Sequence, residues 1–332
     1  MLEHNNGNIL AFILYFCDEG FRKLRETPPN IDSIDVHTLL EVAARNKLSY
    51  YVLKKAIEEE KLSHQIFRDV VTEGKRNLVR QEQTLKFISL VLEEIGADFL
   101  VIKSYKALPY ITVDIDIMLR QNDYHRAVSA FEARGASQVE GKHRLPLPGF
   151  LEKRLSRVRG AGLEKEGLLE IDVYQDTTWT GWLCLDNEFI WKEPRFLDIC
   201  GVRCTIPNRE ADLLLSLAHV IFCHGSIHLL DFLYMNSLLR EDLDFESIFR
   251  EAKKYGWERP LRALISRIQE LHRVLHSNQE IQKSAAFPSL IPFNIVLSSY
   301  LGVTRASKEG LGSSLSNWIN TVFKLATMLV YR

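Results

Sequence analysis

Residues 113–119 read VDIDIML, a run in which two acids alternate with apolar residues. Its β-branched and other apolar side chains predict a buried strand. Because side chains two apart on a strand point to the same face, we expect Asp114 and Asp116 to project side by side, while Ile115 and Ile117 enter the core. Two neighbouring carboxylates repel each other at neutral pH unless a positive charge lies between them. A divalent cation that prefers hard oxygen ligands, above all Mg²⁺, meets this need, so the run predicts a metal-binding strand.

A third acid belongs to a second apolar strand. Residues 168–174 read LLEIDVY and alternate as a strand would, with Asp172 between Ile171 and Val173. If this strand neighbours the first, three carboxylates converge, and such an arrangement can hold two Mg²⁺ ions for in-line attack on a nucleoside triphosphate. The alternative is a set of acids that are simply solvated at exposed strand ends, because burying unpaired carboxylates is costly.

The periodicity of the chain divides it into three parts. Residues 1–96 read mostly as amphipathic helices, the last of which is expected to begin near Ser63 and to stop at Gly96. In residues 97–206 the order strand, connection, strand, helix, strand predicts an α+β core with a small mixed sheet. Residues 207–332 return to helix, beginning with an apolar segment at 211–239. We therefore predict an α+β core between a helical N-terminal region and a helical C-terminal domain.

The composition indicates the class of protein and the cellular compartment to expect. The chain has 332 residues, 46% of them hydrophobic and 26% charged, which is ordinary for a folded protein with a full core. Its formal net charge of -1 provides no global basic field, so binding of nucleic acid would need a local patch. The cysteines are five in number and form no CxxC pair. They are therefore expected to be free thiols in a reducing compartment, and we predict a cytoplasmic protein.

Two apolar stretches are too short to cross a membrane. Residues 8–16 (NILAFILYF) have no preceding basic residue and are better interpreted as a core helix than as a signal peptide. Residues 318–331 (WINTVFKLATMLVY) contain Lys324, so they predict no stable membrane span. Packing on the body of the protein is the expected role of this terminal segment, and an amphipathic helix on a membrane surface is the alternative.

The motifs and their order resemble the nucleotidyltransferase superfamily, whose fold is shared with DNA polymerase β. More narrowly, they look like a poorly characterised bacterial and archaeal group in which a Leu-Lys-Gly turn precedes an Asp-Ile-Asp strand. Here LVIKS at residues 100–104 matches the turn, DID at 114–116 the metal strand, and LEID at 169–172 the strand with the third acid. The group also carries a histidine-containing helix, which the segment 207–239 resembles. The resemblance covers about residues 40–240, with motifs in the central third alone.

The resemblance implies roles for five residues. Asp114 and Asp116 would bind two Mg²⁺ ions, and Asp172 would complete the first metal site and help to deprotonate the acceptor. Lys103 and Ser104 would lie near the phosphates of the nucleotide. The alternative for Lys103 is a solvated lysine at the end of a strand.

Three positions depart from the pattern of the group. Ser104 stands where glycine is expected, and a serine offers its N–H and a hydroxyl but restricts the backbone. Ile111 lies in a region that often carries an arginine, and Tyr174 replaces a common histidine.

Two other clusters have open interpretations. Residues 142–159 carry six Lys or Arg residues against one acid, so they are expected either to face a triphosphate or RNA, or to form a solvated surface.

The segment 219–231 carries His219, Cys223, His224, His228 and Asp231, but its two one-turn pairs point in different directions, which disfavours a single zinc site. His219 and Asp231 are expected to face the core or to stabilise the helical domain, with a site role for Asp231 as an option.

The leading hypothesis is a Mg²⁺-dependent nucleotidyltransferase. It would move a nucleoside monophosphate from a nucleoside triphosphate to a hydroxyl of RNA, protein or a small molecule and release pyrophosphate. The alternative, motivated by Ser104, Ile111 and Tyr174, is a catalytically weakened module of the same fold that binds a nucleotide, RNA or a partner protein.

Overall fold

The structure is a computed structural model that describes residues 2–276 except 25–26, 28–33, 60–61, 63–64, 107, 140–159, 180–181 and 225–226. The basic stretch 142–159 and the terminal segment 318–331 therefore lie outside the described residues. Within these ranges no helix combines the length and the apolar character that crossing a membrane requires.

Helices make up most of the N-terminal region. The first helix buries Ile9, Phe12 and Ile13 completely, as expected of a core helix. Asp35 caps the third helix by accepting a hydrogen bond from the Thr38 amide at 2.7 Å. The helices of this region are α1 (Leu2–Cys17), α2 (Glu19–Leu24), α3 (Val36–Arg45), α4 (Ser49–Glu58) and α5 (Gln65–Glu94).

A mixed sheet forms the centre of the molecule and confirms the predicted α+β fold. Its described strands lie in the order β1-β2-β5-β4-β3. The β2–β5 pair is parallel and the other neighbours are antiparallel. Helices α5 and α6 pack on this sheet. The bounds are β1 (Phe99–Val101), β2 (Asp114–Leu119), α6 (Tyr124–Ala133), β3 (Ser137–Gln138), β4 (Gly160–Glu164) and β5 (Glu170–Tyr174).

The chain then forms two hairpins and returns to helix. Asn208 caps the helix Arg209–His219 by accepting a hydrogen bond from the Ala211 amide at 2.9 Å. The elements are β6 (Thr178–Trp179), β7 (Trp182–Leu183), α7 (Asn187–Ile190), β8 (Arg195–Ile199), β9 (Val202–Ile206), α8 (Arg209–His219), a π-helical turn (Val220–His224), α9 (Leu229–Leu238), α10 (Phe245–Lys254) and α11 (Glu258–His276).

The structure differs from the sequence prediction in the apolar segment 211–239 and in several elements that were not predicted, strand β4 of the central sheet among them. The apolar segment 211–239 is not one helix, because α8 gives way to the π-helical turn and His228 has an extended backbone before α9 begins. Strand β4 was not predicted, since Gly160 and Gly162 give it few of the β-branched residues that mark a strand.

The α4–α5 contact depends on a glycine. A Cβ atom on Gly74 of α5 would lie 2.2 Å from Cδ2 of Tyr50 on α4. In an unconstrained helix, Gly→Ala stabilises by about 0.5–1 kcal/mol. Here we expect Gly74→Ala to lower the free energy of unfolding instead, because overpacking a core costs about 1–3 kcal/mol. Denaturant unfolding of the purified protein measures the change.

A double-variant cycle separates this clash from other effects. In a Tyr50→Ala background the added methyl meets no ring, so Gly74→Ala should be neutral or stabilising there. A destabilisation of the same size in both backgrounds would contradict the packing explanation.

Candidate active site

Four carboxylates share one face of the central sheet. In the parallel β2–β5 pair, Asp116 is the direct partner of Asp172, and Asp114 is the direct partner of Glu170. Neighbouring strands lie about 4.8 Å apart, and residues two apart share a face, so all four side chains project to the same side. The sequence prediction brought together three of these acids and missed Glu170. The period of two in residues 168–174 was the signal that could have found it.

Lys103 supplies a positive charge to this acidic face. Its Nζ lies 2.7 Å from Oδ1 of Asp116, and the two side chains are only 7% and 11% exposed. Nζ also donates to the Tyr174 hydroxyl at 3.3 Å and lies 4.5 Å from the centre of the tyrosine ring. Burial alone would lower the pKa of the Lys103 amine, but the charges of Asp116, Cys223 and Asp172 and the Asp116 hydrogen bond raise it above its ordinary value.

A tight turn aims Lys103 at the acids. The Ser104 N–H donates to the Ile102 carbonyl at 2.6 Å, which closes a three-residue turn with Lys103 at its centre and φ of 58°. Left-handed backbone of this kind is strained for a residue with a side chain, and such strain often accompanies functional sites. The left-handed residue is thus Lys103 itself, one position before the serine that replaces the expected glycine.

The hydroxyl of Ser104 fixes Asp116. It accepts a hydrogen bond from the Asp116 N–H at 2.6 Å and donates to Oδ2 of the same residue at 3.1 Å. The two oxygens of Asp116 therefore have different partners, Lys103 on Oδ1 and Ser104 on Oδ2. Because the Ser104 N–H already donates within the turn, its hydroxyl takes the greater part in organising the site.

The other two predicted ligands are also held by hydroxyl groups. Thr112 Oγ1 donates to the Asp114 carbonyl at 3.0 Å and lies 3.3 Å from Asp114 Oδ1. The Tyr174 hydroxyl lies 3.4 Å from Oδ2 of Asp172. Ligands of metal ions are commonly oriented by such secondary hydrogen bonds.

The donor chemistry of this face fits a divalent cation such as Mg²⁺, since its oxygens are hard and carboxylate-rich. Within the described part of the chain, however, no three His, Cys, Asp or Glu side chains are spaced to hold one ion together. Ligation therefore requires side chains to turn from the positions seen here. The Lys103 ammonium contacts Oδ1 of Asp116 and would have to move away before a cation could bind that oxygen.

One face of α5 anchors the loops that surround the acids. Asn77 donates to the Thr112 carbonyl at 2.8 Å, and Gln81 donates to the Ser104 carbonyl at 3.2 Å. Thr84 Oγ1 accepts from the Leu169 amide at 2.9 Å, just before β5. These three side chains are buried and spaced by about one turn each, and we call them the α5 polar stripe.

A second buried network joins the turn region to the C-terminal helices. Lys106 Nζ lies 3.0 Å from Oδ1 of Asp231 on α9 and 5.1 Å from the centre of the Tyr234 ring. Burial would raise the pKa of Asp231, but the nearby cations, Lys106 first, hold it below its usual range. Burial raises the pKa of Tyr110, and the charges of Asp116 and Asp231 add to this effect.

The histidine-containing segment 219–231 is not one helix but runs from the end of α8 through the π-helical turn into α9. His219 ends α8, Cys223 belongs to the π-helical turn, and His228 precedes α9. The charge of Cys223 contributes to the raised pKa of Lys103. The Tyr234 hydroxyl donates to Asp212, which also pairs with Arg195 at 2.7 Å, so α8 and α9 are fastened to each other and to the β8 strand.

The acids thus lie on neighbouring parallel strands beside a strained turn, and a family comparison supports membership of the nucleotidyltransferase superfamily. The model of a family described as uncharacterised nucleotidyltransferase matches residues 111–273. This range includes all four carboxylates and Asp231, whereas Lys103 and Ser104 precede it. No sequence among curated proteins matches the chain. The family match supports a general role in nucleotidyl transfer.

The α5 polar stripe provides a matched test of how the site is supported. We expect Gln81→Ala to lower the free energy of unfolding by about 1–3 kcal/mol, because the buried Ser104 carbonyl loses its donor. Gln83→Ala removes the same side chain from an exposed position of the same helix and should change it by less than about 0.5 kcal/mol. Denaturant unfolding of both variants measures the difference, and equal effects would show that the Gln81 contact contributes nothing.

Proposed function

We propose that the protein is a Mg²⁺-dependent nucleotidyltransferase that moves a nucleoside monophosphate from a nucleoside triphosphate to a hydroxyl acceptor. The single observation that carries this proposal is the pairing of Asp116 with Asp172 on neighbouring parallel strands, two residues after Asp114. The new bond joins the acceptor oxygen to the α-phosphorus. The bond from that phosphorus to the bridging oxygen breaks, and pyrophosphate leaves.

The residues of the acidic face take distinct roles in this proposal. Asp114, Asp116 and Asp172 would hold two Mg²⁺ ions, which stabilise the charge of the reacting phosphate and acidify the acceptor hydroxyl when bound. Asp172 would also receive the proton of that hydroxyl. Lys103 would offset the charge of the phosphates, and Ser104 would keep Asp116 in its orientation.

We further propose that the chain consists of three regions. Residues 97–206 would form the nucleotidyltransferase core, with residues 1–96 and 207–332 as helical regions on either side. The acceptor would be RNA, a protein side chain or a small molecule in the cytoplasm, and the basic residues 142–159 are the part of the sequence best suited to RNA.

A binding module of the same fold is the second candidate function. The observation that favours it is the Ser104 N–H, which donates to the Ile102 carbonyl and not outward. A turn whose Ser104 amide is engaged internally would bind a nucleotide, RNA or partner protein without efficient transfer.

A labelling experiment tests the enzyme. The full chain is incubated with Mg²⁺, each α-labelled nucleoside triphosphate in turn, and cell RNA or lysate, and label transfer and pyrophosphate are measured. We expect transfer with at least one nucleotide, and a loss of about 100-fold or more for Asp116→Asn and Asp172→Asn, because each removes charge that organises the reacting phosphate.

Asp98→Asn is the matched control, since it makes the same change at an exposed residue just before β1. Its transfer should equal that of the unchanged protein. Transfer that survives both Asp116→Asn and Asp172→Asn would refute the assigned site. Nucleotide binding without transfer under every condition would favour the binding module.

A further inference from the structure

The Lys103–Asp116 ion pair occupies an atom that the proposed metal site also needs. The ammonium lies 2.7 Å from Oδ1 of Asp116, while Oδ2 accepts the Ser104 hydroxyl. A divalent cation bound to Asp116 would therefore meet the ammonium at close range, in a buried setting where like charges repel strongly. Lys103 and the cation compete for Asp116.

Lys103 is held in this position from several sides. Its backbone is left-handed inside the three-residue turn, and its ammonium contacts both the hydroxyl and the ring of Tyr174. These contacts direct a four-carbon side chain back over the acidic face and away from solvent. A lysine that was merely solvated at a strand end would be exposed, whereas this one is buried.

We propose that Lys103 is an internal counter-ion of the acidic face, which opposes the binding of a divalent cation to Asp116 until a nucleoside triphosphate gives the ammonium another partner. The identity of that partner rests on the proposed function, because a triphosphate carries the negative charge that can draw the ammonium away from Asp116. Metal and nucleotide then bind cooperatively, and this coupling acts equally in both directions.

Mn²⁺ binding tests the proposal without relying on activity. Free Mn²⁺ is measured by electron paramagnetic resonance with the full chain, with and without a non-hydrolysable triphosphate analogue. For the unchanged protein we expect Mn²⁺ affinity to rise about 10-fold or more when the analogue is present, after correction for Mn²⁺ bound by the analogue itself. An unchanged affinity would overturn the proposal whether or not any variant folds.

Variants at Lys103 provide the second part of the Mn²⁺-binding test. Lys103→Met should bind Mn²⁺ alone about 10-fold more tightly than the unchanged protein and lose most of the enhancement by the analogue. Lys103→Arg keeps the charge and should keep weak binding of Mn²⁺ alone. Lys86→Met removes an exposed lysine of α5 and should bind Mn²⁺ as the unchanged protein does.

The direction in which Lys103→Met changes the Mn²⁺ affinity shows whether Lys103 is a counter-ion or a structural residue. Loss of a merely structural lysine loosens the site and weakens Mn²⁺ binding, so equal or weaker binding by a folded Lys103→Met variant would overturn the proposal. Circular dichroism and thermal melting establish that the variant is folded.

Failure of the proposed function gives a different pattern. Tighter Mn²⁺ binding by Lys103→Met together with no label transfer would retain the counter-ion and reject the enzyme. Mn²⁺ binding that is unaffected by Asp116→Asn would place the ion elsewhere and overturn both.

Discussion

The parallel pairing of β2 and β5 is the constraint on which the rest of the site depends. It sets Asp116 directly opposite Asp172, so two like charges face each other beside a buried core. The surrounding structure compensates for this repulsion. Lys103 provides opposite charge to Asp116, while hydroxyl groups from Ser104 and Tyr174 approach the two carboxylates. The same charges make this a suitable face for a divalent cation.

Helix α5 holds the loops on either side of the acids by hydrogen bonds. Buried backbone groups without partners are costly, so these contacts stabilise the loops. Asn77 and Gln81 donate to carbonyls in the connection between β1 and β2, and Thr84 accepts from an amide in the loop between β4 and β5. A helix face that would ordinarily be apolar is therefore polar at these positions, because it packs on loop backbone as well as on side chains.

The sequence was sufficient for the fold class and for the elements that carry the acids, because alternation in residues 113–119 and 168–174 follows directly from strand geometry. It missed contacts that depend on tertiary placement. Asp116, the partner of Lys103, lies on β2, whereas Lys103 lies in the turn after β1. The α5 polar stripe is recognisable only once the loops are placed against the helix. The break after His219 was hidden because its flanks are apolar on both sides. The roles of Asp114, Asp116 and Asp172 in catalysis stay predictions that the assays above decide.

The serine that departs from the pattern of related sequences has a consistent physical explanation. Glycine is favoured where the backbone is left-handed, and in this turn the left-handed residue is Lys103 and not Ser104. Ser104 therefore keeps a side chain without adding to the strain of the turn, and its hydroxyl binds both the amide and the carboxylate of Asp116. The Ser104 amide donates within the turn, while the Ser104 hydroxyl holds one carboxylate. Under the proposed function, contact with the phosphates would fall chiefly to the Lys103 ammonium, which links Ser104 to the proposed competition between lysine and cation for Asp116.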